Sequence, residues 1–184
     1  STARASAAAQ TMTPTGRASP GARRGGATAP ALQVMAEQLG RDAASVTAPN
    51  GGPLSEDPAF AAKLTDLQVR AKILEVLEYR ALAAMSSGKD PGSIASMLKI
   101  LGTELSQEIT TLSLEAAGPH GRVFQPHATK PGGPIFQYTP PTDGYVSGEP
   151  WQAVAPLHYF NDRAGSIYAG SNEIQRNILA KAAL

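Results

Sequence analysis

Two long amphipathic helical patterns dominate the middle of this 184-residue chain. The first follows Asp57 and Pro58, a pair typical of an N-cap and a first helical position. Its apolar residues recur at spacings of three and four, namely Phe60, Leu64, Leu67, Ala71, Leu74, Leu77, Ala81 and Met85. The second pattern starts after Pro91, ends at Gly118 and contains Ile94, Leu98, Leu101, Leu105, Ile109, Leu112 and Ala116. A short break at Gly88 makes these helices an antiparallel hairpin, so the sequence predicts an all-α fold, an up-down helical bundle.

The first fifty residues differ in composition from the rest. No acidic residue occurs within residues 1–36, where arginines stand among Ala, Ser, Thr, Gly and Pro. Such a segment buries too little apolar surface to offset chain entropy. We therefore expect residues 1–52 to form a disordered or poorly ordered tail, with a short helix near residues 30–40 that carries Leu32, Met35 and Leu39 on one face. A truncated start and an organelle transit peptide are alternative interpretations of this arginine-bearing segment. The bundle is expected to occupy residues 53–184.

A long Pro/Gly-rich loop over residues 119–150 follows the hairpin and carries Phe124, Phe136, Tyr138 and Tyr145. One interpretation is a surface excursion without chemistry. The other is a segment that packs over a substrate mouth or a subunit contact. After the loop, residues 155–164 predict a short helix that begins at Pro156.

Composition excludes several classes of function. The formal net charge of +1 does not favour binding to nucleic acids, which select basic surfaces. The absence of cysteine excludes disulfides and thiolate chemistry, and we expect a cytoplasmic protein, or a mitochondrial-matrix protein if the source is eukaryotic. No run is long and apolar enough to span a bilayer. His120, His127 and His158 lack the spacing of a helical zinc site, so no metal is expected.

The last eighteen residues, IYAGSNEIQRNILAKAAL, combine a glycine turn with a capped helix. Gly170 permits a tight turn or close approach to a ligand, Ser171 is a good N-cap, and Glu173 is a carboxylate in the first helical turn. Ile174, Ile178 and Ala182 then lie on one apolar face. This stretch resembles the C-terminal signature of the acyl-CoA dehydrogenase family. The resemblance is close over residues 159–184 and looser back to about residue 53.

The resemblance implies a flavoenzyme that uses FAD to oxidise the Cα–Cβ bond of acyl-CoA thioesters. In that family a C-terminal four-helix bundle packs against a middle β-domain and an N-terminal helical domain. FAD lies between the middle domain, its own bundle and the bundle of a neighbouring subunit. The chain would then be part of a larger protein that forms homo- or hetero-oligomers, with acyl-CoA as the substrate of the complete enzyme.

The same resemblance assigns candidate site residues. Ser171 and Glu173 match positions that touch the adenosine of FAD bound by the same subunit, and Tyr168 and Gly170 match positions near the thioester. A second set matches the glycine-rich stretch that meets the FAD pyrophosphate of a neighbouring subunit: Glu115, Gly118 and Gly121.

The chain departs from the family pattern at three places. Ala169 occupies the position of the usual catalytic base, Pro119 replaces a second glycine, and the Arg-x-x-Phe element finds no match. In some relatives the base lies on the first bundle helix, but no convincing counterpart precedes Pro53. We therefore expect the C-terminal part of a flavin-dependent dehydrogenase that is inactive alone. The alternatives are a non-catalytic helical interaction module or a base-lacking partner subunit of a mixed complex. A bundle without its first helix is also expected to expose an apolar stripe and to self-associate.

Overall fold

Five α-helices account for most of residues 28–128 and 146–183, which are the residues that the computed structural model describes. They are α1 (Ala29–Ala44), α2 (Pro58–Ser86), α3 (Ser93–Ala117), α4 (Pro150–Asp162) and α5 (Asn172–Ala183). These residues contain no strand, only an isolated antiparallel bridge between Thr47 and Pro53 in the α1–α2 connection. The predicted all-α fold is confirmed. The expected tail over residues 1–27 and the loop aromatics Phe136, Tyr138 and Tyr145 lie outside the described residues.

Helices α2 and α3 form the predicted antiparallel hairpin. Asp57 caps α2 by accepting hydrogen bonds from the backbone N–H groups of Ala59 at 3.1 Å and Phe60 at 3.0 Å. Helix α3 ends where Gly118 adopts a φ of +56°, and an antiparallel hairpin places this end next to the start of α2.

Ion pairs across the hairpin fix this register. Lys63 Nζ lies 2.6 Å from Glu115 Oε1, and Arg70 contacts Glu108 through two hydrogen bonds. The residue numbers in each pair have the same sum, as expected for two antiparallel helices in constant register. These side chains are about half exposed, so we assign them a role in alignment rather than in stability.

Helix α1 lies within the segment that was expected to be a tail with a short helix. It spans sixteen residues and packs on both α2 and α3. Its buried residues alternate in spacings of three and four, and each is at most 3% exposed: Ala29, Leu32, Ala36, Leu39 and Ala43. The backbone N–H of Ala29 donates to Glu78 Oε1 at 2.8 Å and ties the start of α1 to α2. The helix near residues 30–40 is thus longer than expected and belongs to the bundle core. It covers the face that a missing first helix would have exposed.

Helix α4 starts six residues before the expected position. Glu149 is its N-cap, Pro150 is its first residue, and Glu149 and Gln152 form a reciprocal capping box. Pro156, which was expected to begin this helix, lies buried inside it. A proline at that place cannot donate to the carbonyl of Gln152, but the helix continues because α4 packs along α3.

The core lies between α1, α2 and α3, with Trp151 of α4 packed against it. Its largest fully buried side chains are Leu32, Leu74, Leu105 and Ile109. Within the described part of the chain, no helix combines the length and hydropathy needed to cross a membrane.

Candidate functional site

The turn before α5 has an unusual backbone. Ala169 adopts a φ of +55°, the only positive value at a non-glycine position within the described residues, and Gly170 follows with +87°. A Cβ on Gly170 would lie 2.9 Å from Gln175 Nε2. Two successive left-handed residues therefore reverse the chain sharply, and glycine is required at the second of them.

The turn is anchored to α3 through Asn172. This side chain is 3% exposed, and its Oδ1 accepts hydrogen bonds from Lys99 Nζ at 2.6 Å and Thr103 Oγ1 at 3.2 Å. Lys99 also donates to the carbonyl of Gly165 at 3.1 Å. Desolvation lowers the pKa of Lys99, while the nearby carboxylates of Glu173 and Glu104 oppose this shift. No sequence pattern indicates this anchor, because it joins residues 73 positions apart.

The predicted adenosine-contact residues lie at the open start of α5. Ser171 Oγ accepts from the backbone N–H of Ile174 at 3.4 Å, which is the capping contact expected of this serine. Glu173 is exposed. The pKa of the Glu173 carboxyl is lowered below its usual value. The main cause is a hydrogen bond from the backbone N–H of Glu173 itself, followed by one from the Ser171 hydroxyl, and the charge of Arg176 adds to this shift. The carboxylate is therefore an ionised acceptor that faces solvent.

The predicted thioester-contact residues lie on the same turn. Tyr168 is 59% exposed, and Ala169 and Gly170 separate it from Ser171. Ala169, in the position of the expected base, is exposed and carries only a methyl group. Tyr168, Gly170, Ser171 and Glu173 thus form one accessible surface, which we name the α5 turn. It contains no carboxylate at the base position.

The second predicted set lies at the other end of α3. Fifteen residues separate Thr103, which contacts the α5 turn, from Gly118, a distance of about 22 Å along the helix axis. Glu115 is paired with Lys63. The N–H of Gly118 donates to the carbonyl of Glu115, and a Cβ on the buried Gly121 would lie 2.9 Å from a methyl group of Leu114. One chain therefore does not bring the two sets together.

A hollow of about 400 Å³ lies beside the end of α3. It is lined by Gly118, Pro119, His120 and Glu149, among others. His120 Nδ1 lies 2.8 Å from Ser147 Oγ. The start of α2 at Asp57 is also on this side of the bundle, because α2 packs antiparallel to α3. The Glu149 carboxylate in the lining does not favour a phosphate ligand.

A second buried polar group joins α3 to α4. Burial raises the pKa of the Asp162 carboxyl, a shift opposed by a hydrogen bond from Ser106 and by the charge of Arg163. Asp162 Oδ2 is buried without a hydrogen-bond partner. Arg163 stacks over the ring of Tyr159 at 4.4 Å and donates to the carbonyl of Gln107 at 2.6 Å. These contacts join the end of α4 to α3 just before the α5 turn, and spacing alone did not indicate them.

The histidines do not converge. Within residues 28–128 and 146–183, no group of three His, Asp or Glu side chains is placed to hold a metal ion.

Comparisons with known proteins identify what this arrangement is similar to. The family profile described as "Acyl-CoA dehydrogenase, C-terminal domain" matches residues 6–184. No curated protein matches the chain at a significant level.

Solved structures share the fold at low sequence identity. The FAD complex of PigA has a TM-score of 0.62 and 16% identity, over 84% of this chain and 33% of that chain. Butyryl-CoA dehydrogenase from Megasphaera elsdenii has a TM-score of 0.59 and 19% identity, over 84% and 34%. The ChsE4-ChsE5 complex from Mycobacterium tuberculosis has a TM-score of 0.61 and 19% identity, over 86% and 37%. The chain thus spans about a third of the length of these structures.

Proposed function

The chain belongs to the acyl-CoA dehydrogenase family through its C-terminal domain, and we propose that it supplies the helical-bundle part of a flavin-dependent oxidoreductase that dehydrogenates acyl-CoA thioesters. In this proposal the α5 turn forms one side of the flavin-binding site. The helical bundle also takes part in contacts with other domains or subunits. When bound, FAD accepts the hydride, whereas the residues of this chain bind and orient it.

The observation that carries the proposal is the pair of hydrogen-bonding groups on the open α5 turn. Adenosine presents hydroxyl and amino donors, which need acceptors. An ionised Glu173 is an acceptor only, and Ser171 offers a hydroxyl beside it. A phosphate, in contrast, would be repelled by this carboxylate. The residues present therefore fit the adenosine part of FAD.

The anchor behind the turn supports this role. Lys99 and Thr103 hold Asn172 from the α3 side, so the backbone of residues 169–171 is positioned before any ligand arrives. Such preorganisation reduces the ordering cost of binding.

The chain should not dehydrogenate a substrate by itself. Proton removal from the acyl α-carbon needs a carboxylate beside the thioester, and Ala169 provides none. A complete enzyme would need a base from another part of the protein or from another subunit.

A base-lacking partner subunit of a mixed complex is the second candidate function. Ala169 favours it, because this residue adopts the left-handed backbone of the turn but has no carboxylate at the position of the usual base. One of the similar structures is a complex of two proteins, ChsE4 and ChsE5. A non-catalytic interaction module is the further alternative, favoured by the poor phosphate site at the end of α3.

Exposed apolar side chains on α2 support an assembly role. Val69, Ile73 and Val76 lie on the side of α2 opposite the core and are 52%, 53% and 57% exposed. We propose that this face contacts another subunit or domain. Sedimentation analysis of the chain would test it, and a strict monomer at every concentration would count against self-assembly through this face.

The proposed flavin contact is tested by FAD titration, followed by flavin fluorescence, of the chain alone and mixed with a polypeptide that carries the middle β-domain. Glu173→Gln should weaken FAD binding in the mixture about tenfold or more, because a charge-assisted hydrogen bond contributes about 1.5–3 kcal/mol. Glu37→Gln is the matched control, since Glu37 is exposed on α1. Equal affinities for the two variants would refute the proposed contact.

A further inference from the structure

We propose that the end of α3 in this chain does not accept the pyrophosphate of a neighbouring subunit's FAD, so that the chain contacts flavin only through its α5 turn. This inference rests on the proposed function of the α5 turn, because it states which half of a flavin site the chain supplies. It is an alternative to the assignment that the sequence resemblance implies for Glu115, Gly118 and Gly121.

The backbone at this end offers few donors to a phosphate oxygen. The N–H of Gly118 is already bonded to the carbonyl of Glu115. Pro119 has no N–H. Gly121 is buried against Leu114, so packing explains this glycine without a ligand. A nest of free N–H groups, which would make an anion site, is therefore not formed by these residues.

The charges at this end are also unfavourable. Three carboxylates lie at or next to this end. Glu149 lines the hollow, Glu115 is on the last turn of α3, and Asp57 begins α2, which packs antiparallel to α3. Lys63 is engaged with Glu115, and Arg122 is the exposed cation of residues 115–122. A pyrophosphate that approaches would therefore meet more carboxylates than free cations.

Two of these carboxylates are fixed by the fold. Asp57 caps α2 and Glu149 caps α4, so neither can turn away without loss of its helix cap. The negative charge is thus a consequence of how the helices begin. It follows that two copies of this chain would not complete each other's flavin sites. A filled site needs a second, non-identical chain whose corresponding end carries free N–H donors and a cation.

The direct test uses the ¹⁵N-labelled full chain and inorganic pyrophosphate. We expect no saturable shift of the amide resonances of residues 115–123 at concentrations that leave the α1 amides unchanged. Saturable shifts confined to those residues would overturn the inference. FAD is then added as a separate probe, to the labelled chain mixed with the polypeptide that carries the middle β-domain. If the amides of residues 168–173 fail to respond there, the proposed function fails, while a silent α3 end still supports the conclusion that this end does not accept pyrophosphate.

A rebuilt site supplies the complementary test. The triple variant Asp57→Asn, Glu115→Gln and Pro119→Gly removes two charges and restores an N–H, and asparagine keeps the α2 cap. It should bind pyrophosphate at least tenfold more tightly than the unaltered chain. The matched control, Glu37→Gln with Asp90→Asn, removes the same charge far from this end. A gain as large in the control, or no gain in the triple variant, would contradict the inference.

Discussion

The substitution Leu32→Ala tests whether α1 is part of the bundle. Leu32 is fully buried in the shared core. Removing three methylene equivalents costs about 2.4 kcal/mol at about 0.8 kcal/mol each, and the cavity that remains adds to this. We therefore expect the free energy of unfolding to fall by about 3–4 kcal/mol. Since domains of this size are stable by only about 5–15 kcal/mol, the variant would lose a large part of its stability.

The measurement is urea unfolding followed by circular dichroism, with the free energy obtained by linear extrapolation. Val34→Ala is the matched control, because Val34 lies on the same helix and is 60% exposed. It should change the stability by less than about 0.5 kcal/mol. If Leu32→Ala costs no more than Val34→Ala, then α1 is not packed in the core and does not belong to the bundle.

Two further predictions concern the connections around α4. Gly148→Ala should destabilise the fold by about 1–3 kcal/mol, because Gly148 has a φ of +77° and a Cβ there would lie 2.4 Å from Gln152 Oε1. Gly52→Ala is the control, and similar melting temperatures for the two variants would contradict this account. Asp162→Asn should stabilise the protein at neutral pH, because burial raises the pKa of this carboxyl above the unfolded value of 3.8. The folded state then binds the proton more tightly than the unfolded state. The stability gained by Asp162→Asn should therefore shrink as the pH falls through the folded pKa and vanish below about 3.8 in thermal melts. A stability difference that does not change with pH would contradict a raised pKa for Asp162.

The helices that the sequence predicted well have strong local signals. The start of α2 could be predicted to the residue because Asp57 and Pro58 supply a cap and a pre-set φ, and the end of α3 because Gly118 takes a positive φ. These signals depend on neighbouring residues only, so no tertiary information is needed to interpret them.

Helix α1 was underestimated because alanine gives a weak hydrophobic signal. Ala29, Ala36 and Ala43 are completely buried, yet each removes little apolar surface, and their burial depends on the close approach of α2 and α3. The start of α4 was misplaced for a different reason. Pro150 and Pro156 both satisfy the φ of a helix start, and only the capping box of Glu149 identifies the first as the actual one.

In the candidate site, too, some features depend on neighbouring residues and others on contacts between distant helices. The order of residues in the α5 turn follows from the sequence, because they are adjacent. The anchor from Lys99 to Asn172 and the approach of Asp57 to the end of α3 do not, because both depend on how distant helices pack. For that reason the match of Glu115, Gly118 and Gly121 to a phosphate site could not be weighed against the charges around it from the sequence.

Contact between the α5 turn and the adenosine of FAD would be visible in a crystal structure of the FAD-loaded assembly. We expect a carboxylate oxygen of Glu173 within hydrogen-bond distance of an adenosine donor, with the ring of Tyr168 on the substrate side of the same turn. An adenosine bound elsewhere, with Glu173 still surrounded by solvent, would contradict this expectation.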